Sequence, residues 1–317
     1  MKFCSVQGTL LGIFLLVFFG IPEKHHYLAS AEDKVYRLQH ADGPRIILIG
    51  DSGVAYGMKS AMIAEEFPGY TVVNMALMAG LGFRNIIAEI EPELHEGDVV
   101  VMIFAHQLYD RNLLHYQYWN YVTYRPEMLL RADWRDFPIM VDDAFFFVNR
   151  ALRTYKRVMT YKVHPEREAP IHRAGFNEYG DLQAHHSLQT LPTTRMEMAD
   201  LKMENKPFAR EVVHELNAFA ERAEAKGATV LYMFPPIPET AWEVNGELIR
   251  ESASFPQEGL EFPIINEPGE MVYPDNFFYD TNYHMIGVGA TRRSELLAER
   301  LKDYVPTSSN TSQEQRP

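Results

Sequence analysis

The stretch Arg45-Ile-Ile-Leu-Ile-Gly-Asp-Ser-Gly-Val-Ala-Tyr-Gly57 decides how this chain folds. Its apolar run, residues 46–49, stops at Gly50-Asp51-Ser52, as a buried β-strand does where it reaches the surface. Residues 58–67 have a helical composition, so Ser52 is predicted on a turn between a strand and a helix. In open α/β sheets ligands bind at that edge, and the unpaired N–H groups that begin a helix can hold negative charge there.

Two interpretations of Ser52 are open at this point. Serine is a preferred N-cap residue, so Ser52 could simply begin the helix. Alternatively, Ser52 is a nucleophile, which requires a base and an orienting acid elsewhere in the chain. The stretch differs from the Gly-x-Ser-x-Gly turn of α/β-hydrolases, because Val54 occupies the position of the second glycine.

The rest of the chain alternates strands with helices. Residues 71–74, 99–104 and 228–234 have strand patterns, and residues 86–94, 207–223 and 290–304 have helical ones. This alternation predicts a parallel sheet with helices on its faces, in an α/β domain of the three-layer, flavodoxin-like type. Residues 32–43 are interpreted as a polar linker or edge segment, and residues 237–278 as irregular.

The N-terminus has the pattern of a targeting segment. Lys2 precedes the apolar run Thr9–Ile21, which is shorter than the roughly 20 residues of a membrane-spanning helix. Ala29-Ser30-Ala31 offers a small-x-small cleavage site. Residues 1–31 are therefore predicted to be a signal peptide or a retained membrane anchor, and either would place the α/β domain, residues 32–305, outside the cytoplasm.

An aromatic-rich insertion, at about residues 106–206, interrupts the alternation. It has no clear strand, and helices are predicted at 127–131 and 142–157. It could be a substrate-binding lid, a membrane-facing surface or an ordinary hydrophobic subdomain, since aromatic side chains are mostly core residues. Residues 306–317 are rich in Ser, Thr and Gln and are predicted to be a disordered tail.

Composition argues against several classes of function. The net charge of -13 and the lack of a basic cluster disfavour a nucleic-acid partner. Cys4 is the only cysteine, so no disulfide framework or thiolate metal site is expected. His214 is followed by Ala218 where a His-Glu-x-x-His site needs its second histidine, and the adjacent His185 and His186 do not share a helix face. We therefore expect neither a metal nor a cofactor.

His284 is the histidine in the best context for catalysis. It lies in an irregular loop before the last helix, four residues after Asp280. Such a pair can place the carboxylate against the imidazole Nδ1 and leave Nε2 for a serine. The alternative is an ordinary loop histidine near an aspartate that caps the helix.

Together, Gly50-Asp51-Ser52 and the late Asp280/His284 pair resemble the SGNH (GDSL-type) hydrolases over roughly residues 45–104 and 207–304. The resemblance implies that Ser52 is the nucleophile and that its N–H contributes to the oxyanion hole. Asn74-Met-Ala-Leu-Met-Ala-Gly80 fits the second block of the family, which implies Gly80 as an oxyanion donor with Gly82 in reserve.

Two blocks depart from the family pattern. The third block normally supplies an asparagine, whereas Phe104-Ala105-His106-Gln107 has none, so Gln107 or His106 is the expected donor. The last block is normally Asp-x-x-His, but Thr281 lies three residues before His284. Asp280 would then serve through a one-residue bulge; the alternative is a Ser–His dyad.

The whole layout resembles exported, membrane-associated members of the family that act in O-acetylation or D-alanylation of cell-surface polymers. This resemblance implies a serine esterase or O-acyltransferase acting on acyl, typically acetyl, esters of carbohydrate, with a membrane acyltransferase as a further partner. The alternatives are a general secreted lipase or esterase, and a catalytically weak accessory or binding protein that works with a membrane acyltransferase.

Overall fold

The secondary structure follows the predicted alternation through most of the chain. The computed structural model describes residues 24–108, 117–160, 171–189, 195–201 and 210–306. The helices are α1 (Ser30–Gln39), α2 (Ser52–Tyr56), α3 (Ser60–Glu66), α4 (Gly82–Ile90), α5 (Gln117–Val122), α6 (Phe137–Thr160), α7 (Arg195–Ala199), α8 (Arg210–Glu224), α9 (Glu239–Gly259) and α10 (Gly287–Leu301). The strands are β1 (Arg45–Gly50), β2 (Thr71–Asn74), β3 (Val99–Ile103), β4 (Thr229–Tyr232), β5 (Ile237–Pro238) and β6 (Val272–Tyr273).

A four-stranded parallel sheet of order β2-β1-β3-β4 forms the centre of the molecule. Ile47 pairs with Val73 on one side and with Val100 on the other. Every residue of β1 and β3 is buried, as expected for parallel strands covered on both faces by helices. The predicted fold class, a three-layer flavodoxin-like α/β domain, is confirmed. Beyond β4, Tyr232 forms an isolated parallel bridge with Ile264.

A buried ion pair fixes the amino edge of the sheet. Arg45 begins β1 and Asp98 directly precedes β3, and both are almost completely buried. Arg45 Nε donates to Asp98 Oδ1 at 2.9 Å, and Arg45 Nη1 donates to Leu38 O at 2.6 Å. A buried charge pair is tolerated when its remaining hydrogen-bonding groups are satisfied, as they are here. The carboxyl edge is left for the residues of the candidate site.

Helical structure begins before residue 32, where the domain was predicted to start. Tyr27–Ala29 form a 3-10 helix and α1 continues from it, with Leu28 and Leu38 fully buried. The Tyr27 hydroxyl donates to Leu77 O at 2.5 Å. Residues 27–31 therefore pack into the folded unit, and residues 32–39 are helical and not the linker or edge segment predicted at 32–43. Helix α1 buries only a narrow apolar face, so its sequence looks polar.

The predicted leader itself lies mostly outside the described residues. The apolar run Thr9–Ile21 and Cys4 belong to that part of the chain. Across the ranges that the structure does describe, no helix combines the length and the hydropathy needed to cross a bilayer.

The interpretation of residues 237–278 as irregular is also wrong, because α9 occupies half of them. This helix contains Gly246 and Pro256, which weaken a helical pattern. It buries Ala241, Ile249 and Ala253 along one side, and Pro256 lies in its last turn. Packing of that apolar side compensates for the poor intrinsic propensity.

The insertion is helical, as predicted, but its aromatic residues divide between core and surface. A 3-10 helix covers Pro126–Leu130 and α6 covers the second predicted helix. Tyr118 and Tyr121 are buried in the core, whereas Trp134 is 82% exposed and Phe146 63% exposed. The interpretation as an ordinary hydrophobic subdomain therefore fits Tyr118 and Tyr121 but not Trp134 and Phe146. The predicted disordered tail lies outside the described residues apart from residue 306.

Candidate active site

Asp51, and not Ser52, caps the helix that begins at the end of β1. The Asp51 carboxylate accepts the Gly53 N–H at 2.7 Å and the Ala105 N–H at 2.6 Å. Burial raises the pKa of Asp51, and these two N–H donors oppose that shift. The interpretation of Ser52 as the helix cap is therefore wrong. The half-buried Ser52 Oγ has no hydrogen-bond partner among the described residues.

Helix α2 is only five residues long and is held from outside. Arg293 Nη1 donates to Gly53 O at 2.6 Å. The Leu182 N–H donates to Ala55 O at 2.8 Å, and His186 Nε2 donates to Tyr56 O at 2.8 Å. The last carbonyls of a helix have no partner within it, so these donors stabilise a helix too short to persist alone. The conformation around Ser52 thus depends on distant parts of the chain.

Asp280 and His284 are in contact at the other side of the site. His284 Nδ1 lies 2.7 Å from Asp280 Oδ1, and Nε2 has no partner in the part of the chain that the structure describes. Thr281 Oγ1 accepts the N–H groups of Tyr283 and His284 at 3.3 and 3.2 Å. The Thr281 hydroxyl is thus occupied by N–H groups of its own loop. Asp280, one residue further from His284 than Thr281, is the residue whose side chain reaches the ring. Asp280 holds the tautomer with the proton on Nδ1, which leaves Nε2 as a proton acceptor.

The imidazole of His284 lies next to the face of α2 that carries Ser52. Its ring stacks on Tyr56, with ring centroids 3.8 Å apart and planes 15° apart. Ser52 and Tyr56 are four residues apart and so share one face of the helix. No hydrogen bond joins Ser52 Oγ to His284 within the described chain, and such bonds are commonly long before a substrate binds.

Two backbone N–H groups were predicted as oxyanion donors. The N–H groups of Ser52 and Gly80 have no acceptor among the described residues. Gly80 lies in the 3-10 helix Ala79–Leu81, which follows the carboxyl end of β2. Gly82, the reserve donor, uses its N–H on Ala79 O and is not available. No hydrogen bond in the described chain joins Gly80 to Ser52.

His106 follows β3 and is one of the two residues predicted as a side-chain donor there. It is 2% exposed, and burial lowers its pKa to about 3, so the ring is neutral at pH 7. His106 Nδ1 lies 3.2 Å from the Tyr283 hydroxyl, which lies 3.1 Å from Leu201 O. The single Tyr283 proton can go to either acceptor. His106 Nε2 is a donor only when Tyr283 donates to Nδ1. The side chain of Gln107 lies outside the described residues.

The structure brings two further histidines to the site, and sequence reasoning missed them. His185 is fully buried, and its ring lies 4.8 Å from Tyr56 and 5.3 Å from Tyr279. Burial lowers the pKa of His185 to about 4 and also lowers that of His186. Both belong to the insertion, where their sequence suggested at most a metal site. The described ranges contain no group of three or more His, Cys, Asp or Glu side chains that could hold a metal.

The comparisons with known proteins leave the family open. No family model matches the sequence, and no curated protein matches it. A solved structure titled "a putative platelet activating factor from Streptococcus pneumonia" aligns with a TM-score of 0.38 and 12% identity, over 95% of this chain and 99% of that one. Protein YxiM of Bacillus subtilis aligns with a TM-score of 0.33 and 12% identity, over 82% of this chain and 56% of that one. Likenesses this loose carry no argument, so the chemistry of the site rests on its own geometry.

Proposed function

We propose that this protein is a serine esterase or O-acyltransferase of the SGNH type. One observation carries the proposal: Ser52, with an unpartnered hydroxyl, shares a helix face with Tyr56, on which the imidazole of a hydrogen-bonded Asp280–His284 pair is stacked. A nucleophile, a base and an orienting acid are the three parts that acyl transfer to serine requires.

The reaction proceeds in two steps. His284 Nε2 takes the proton of Ser52 Oγ as Oγ bonds to the ester carbonyl carbon, and the carbonyl oxygen becomes an oxyanion. The N–H groups of Ser52 and Gly80, with His106 or Gln107, donate to that oxyanion. The C–O bond to the alcohol then breaks, and the alcohol leaves with the proton from His284. In the second step water or a sugar hydroxyl gives its proton to His284 and its oxygen bonds to the acyl carbon. The bond from that carbon to Ser52 Oγ then breaks, Oγ takes the proton back from His284, and the free acid or the acylated sugar leaves.

The substrates are acyl esters, chiefly acetyl esters, of cell-surface or extracellular carbohydrate. The apolar run Thr9–Ile21 supports a site of action outside the cytoplasm, with the chain secreted or attached to the membrane by its N-terminus. A membrane acyltransferase is the proposed partner in the transferase case. A general secreted lipase or esterase would share the chemistry and would differ in needing no carbohydrate acceptor.

The test is Ser52→Ala in an assay with p-nitrophenyl acetate, together with labelling by a fluorophosphonate probe. We expect kcat to fall by about 10⁴-fold or more and labelling to disappear. The melting temperature should stay the same, because Ser52 Oγ has no partner among the described residues. Ser254→Ala is the control and should keep full activity, because among the described residues the Ser254 hydroxyl hydrogen-bonds only to Glu251 O in α9. Undiminished turnover in Ser52→Ala would refute the mechanism.

A second candidate is an accessory protein with little catalysis of its own. The observation that favours it is the neutral, buried His106 in place of an amide donor. Removing one oxyanion donor costs on the order of a hundredfold or more in rate. The same probe separates the two candidates, because labelling requires an activated serine. Folded wild-type protein that resists the probe would favour the accessory role.

A further inference from the structure

A short segment of the insertion, residues 182–186, contacts both halves of the candidate site. It lies between α6 and α7 in the chain, in the part of the sequence that resembles no family. Its two histidines are close together in space, with ring centroids 4.7 Å apart. Neither histidine belongs to the proposed triad. The described residues contain no cluster of His, Cys, Asp or Glu side chains that could hold a metal.

On one side the segment holds the helix that carries Ser52. The Leu182 N–H and His186 Nε2 donate to the last two carbonyls of α2, those of Ala55 and Tyr56, both at 2.8 Å. A carbonyl oxygen is an acceptor only, so His186 is held as the tautomer with its proton on Nε2.

On the other side the segment holds the loop that carries His284. His185 Nε2 donates to Met285 O at 2.9 Å, one residue after His284. The Gly287 N–H donates to His186 O at 3.0 Å. A Cβ placed on Gly287 would lie 2.8 Å from that same oxygen, so the two backbones are in close contact.

The segment is itself attached firmly to the sheet. Asp181, directly before it, is fully buried and accepts the Ser60 N–H at 2.7 Å and the Ser60 hydroxyl at 2.6 Å. Asn74 Nδ2, at the end of β2, donates to the same carboxylate at 2.9 Å. Residues 182–186 are therefore fixed in position between α2 and the loop that carries His284. Within the described chain, no hydrogen bond joins Ser52 to His284 directly.

We propose that His185 and His186 are positioning residues that set the separation between Ser52 Oγ and His284 Nε2. The inference rests on the proposed function. His186 holds the helix four residues after the nucleophile, and His185 holds the loop one residue after the base. Because the two histidines are adjacent in one backbone segment, a shift of either element strains the hydrogen bond to the other. A displacement of about 1 Å between reacting groups can cost on the order of a hundredfold in rate.

The experiment compares variants that keep the size of the side chain but differ in the donor. His186→Phe and His185→Phe keep a ring and remove the N–H, whereas His186→Gln keeps an N–H that can reach Tyr56 O. We expect both Phe variants to lower kcat for p-nitrophenyl acetate by about 10- to 100-fold with KM within a factor of two. His186→Gln should recover most of the lost kcat, and fluorophosphonate labelling should slow in parallel with kcat.

A general loss of stability is controlled by Phe219→Leu, a buried substitution in α8 away from the site. It should lower the melting temperature and leave kcat unchanged. The inference is overturned if the Phe variants of His185 and His186 keep kcat within twofold of wild type, or if Phe219→Leu loses kcat to the same extent. Wild-type protein with neither labelling nor turnover would overturn the proposed function, and the inference with it.

Discussion

Asp51 and Ser52, the two residues that follow β1, have different roles in the turn. The Asp51 carboxylate is buried and accepts two backbone N–H groups, so it builds the turn. The Ser52 hydroxyl takes no part in the turn and has no hydrogen-bond partner in the described part of the chain. Sequence reasoning treated capping as the alternative to a nucleophile at Ser52. The structure shows that capping occurs one residue earlier, so the two roles do not compete.

At the same scale, the loop geometry predicts that Asp280 is the orienting acid and that Thr281 is not. Asp280→Asn should lower kcat by about 10³- to 10⁴-fold, because an amide can donate to Nδ1 and favour the wrong tautomer of His284. Steady-state kinetics with an acetyl ester measures the loss. Thr281→Ser, which keeps the hydroxyl that accepts two loop N–H groups, should change kcat by less than a few fold. Equal activity of Asp280→Asn and wild type would indicate a Ser–His dyad.

At the scale of elements, the end of β1 can pack against β3 and α2 only because residue 50 is a glycine and has no side chain. A Cβ on Gly50 would lie 2.1 Å from Ile103 O in the neighbouring strand and 2.5 Å from Val54 Cγ2 in α2. The Ile103 oxygen cannot move without breaking the sheet, so the carboxyl end of β1, with the start of α2 that follows it, must shift instead. The Gly-Asp-Ser turn therefore couples strand packing to the position of the nucleophile.

Gly50→Ala should destabilise the protein by about 3 kcal/mol, the upper part of the range for overpacked cores, and should also lower kcat. Urea unfolding and the ester assay measure the two effects. Gly69→Ala is the matched control, since a Cβ there meets nothing within 4 Å. That substitution should be neutral or stabilise by up to about 1 kcal/mol. A Gly50→Ala variant as stable as Gly69→Ala would contradict the packing argument.

At the scale of the whole molecule, buried neutral histidines predict how stability depends on pH. Burial lowers the pKa of His106 to about 3 and that of His185 to about 4, from 6.5 in the unfolded chain. Between pH 6.5 and these values the unfolded chain binds more protons than the folded protein. The free energy of unfolding should therefore fall as the pH drops, by up to about 1.4 kcal/mol per pH unit for each group.

Urea unfolding at pH 7.5, 6.0 and 5.0 measures this dependence. His106→Gln, which cannot gain a proton in this range, should show a shallower slope than wild type. A stability that is constant from pH 7.5 to 5.0 would mean that these rings are hydrated or partnered as cations.

The sequence predicted the parts of the molecule whose signals are local. Strands β1 and β3 are continuous apolar runs, and the contact between Asp280 and His284 follows from a four-residue spacing in one loop. The catalytic roles of these residues remain predictions. The parts that sequence reasoning missed depend on distant contacts. Helix α1 buries only a narrow apolar stripe. His185 and His186 contact Met285 and Tyr56, which are far from them in the sequence, so their place at the site is visible only in the fold.

The external support of α2 has a consequence for how the protein is made. The hydrogen bond from Arg293 to Gly53 O spans 240 residues of sequence, and those from Leu182 and His186 span more than a hundred. Contacts this far apart in sequence form late, because the loop between them must close first. A chain that emerges from the ribosome with its N-terminus first exposes Ser52 long before the groups that organise it. Reactivity of the serine would therefore appear only when folding is almost complete, and a nascent or truncated chain would carry an inert one.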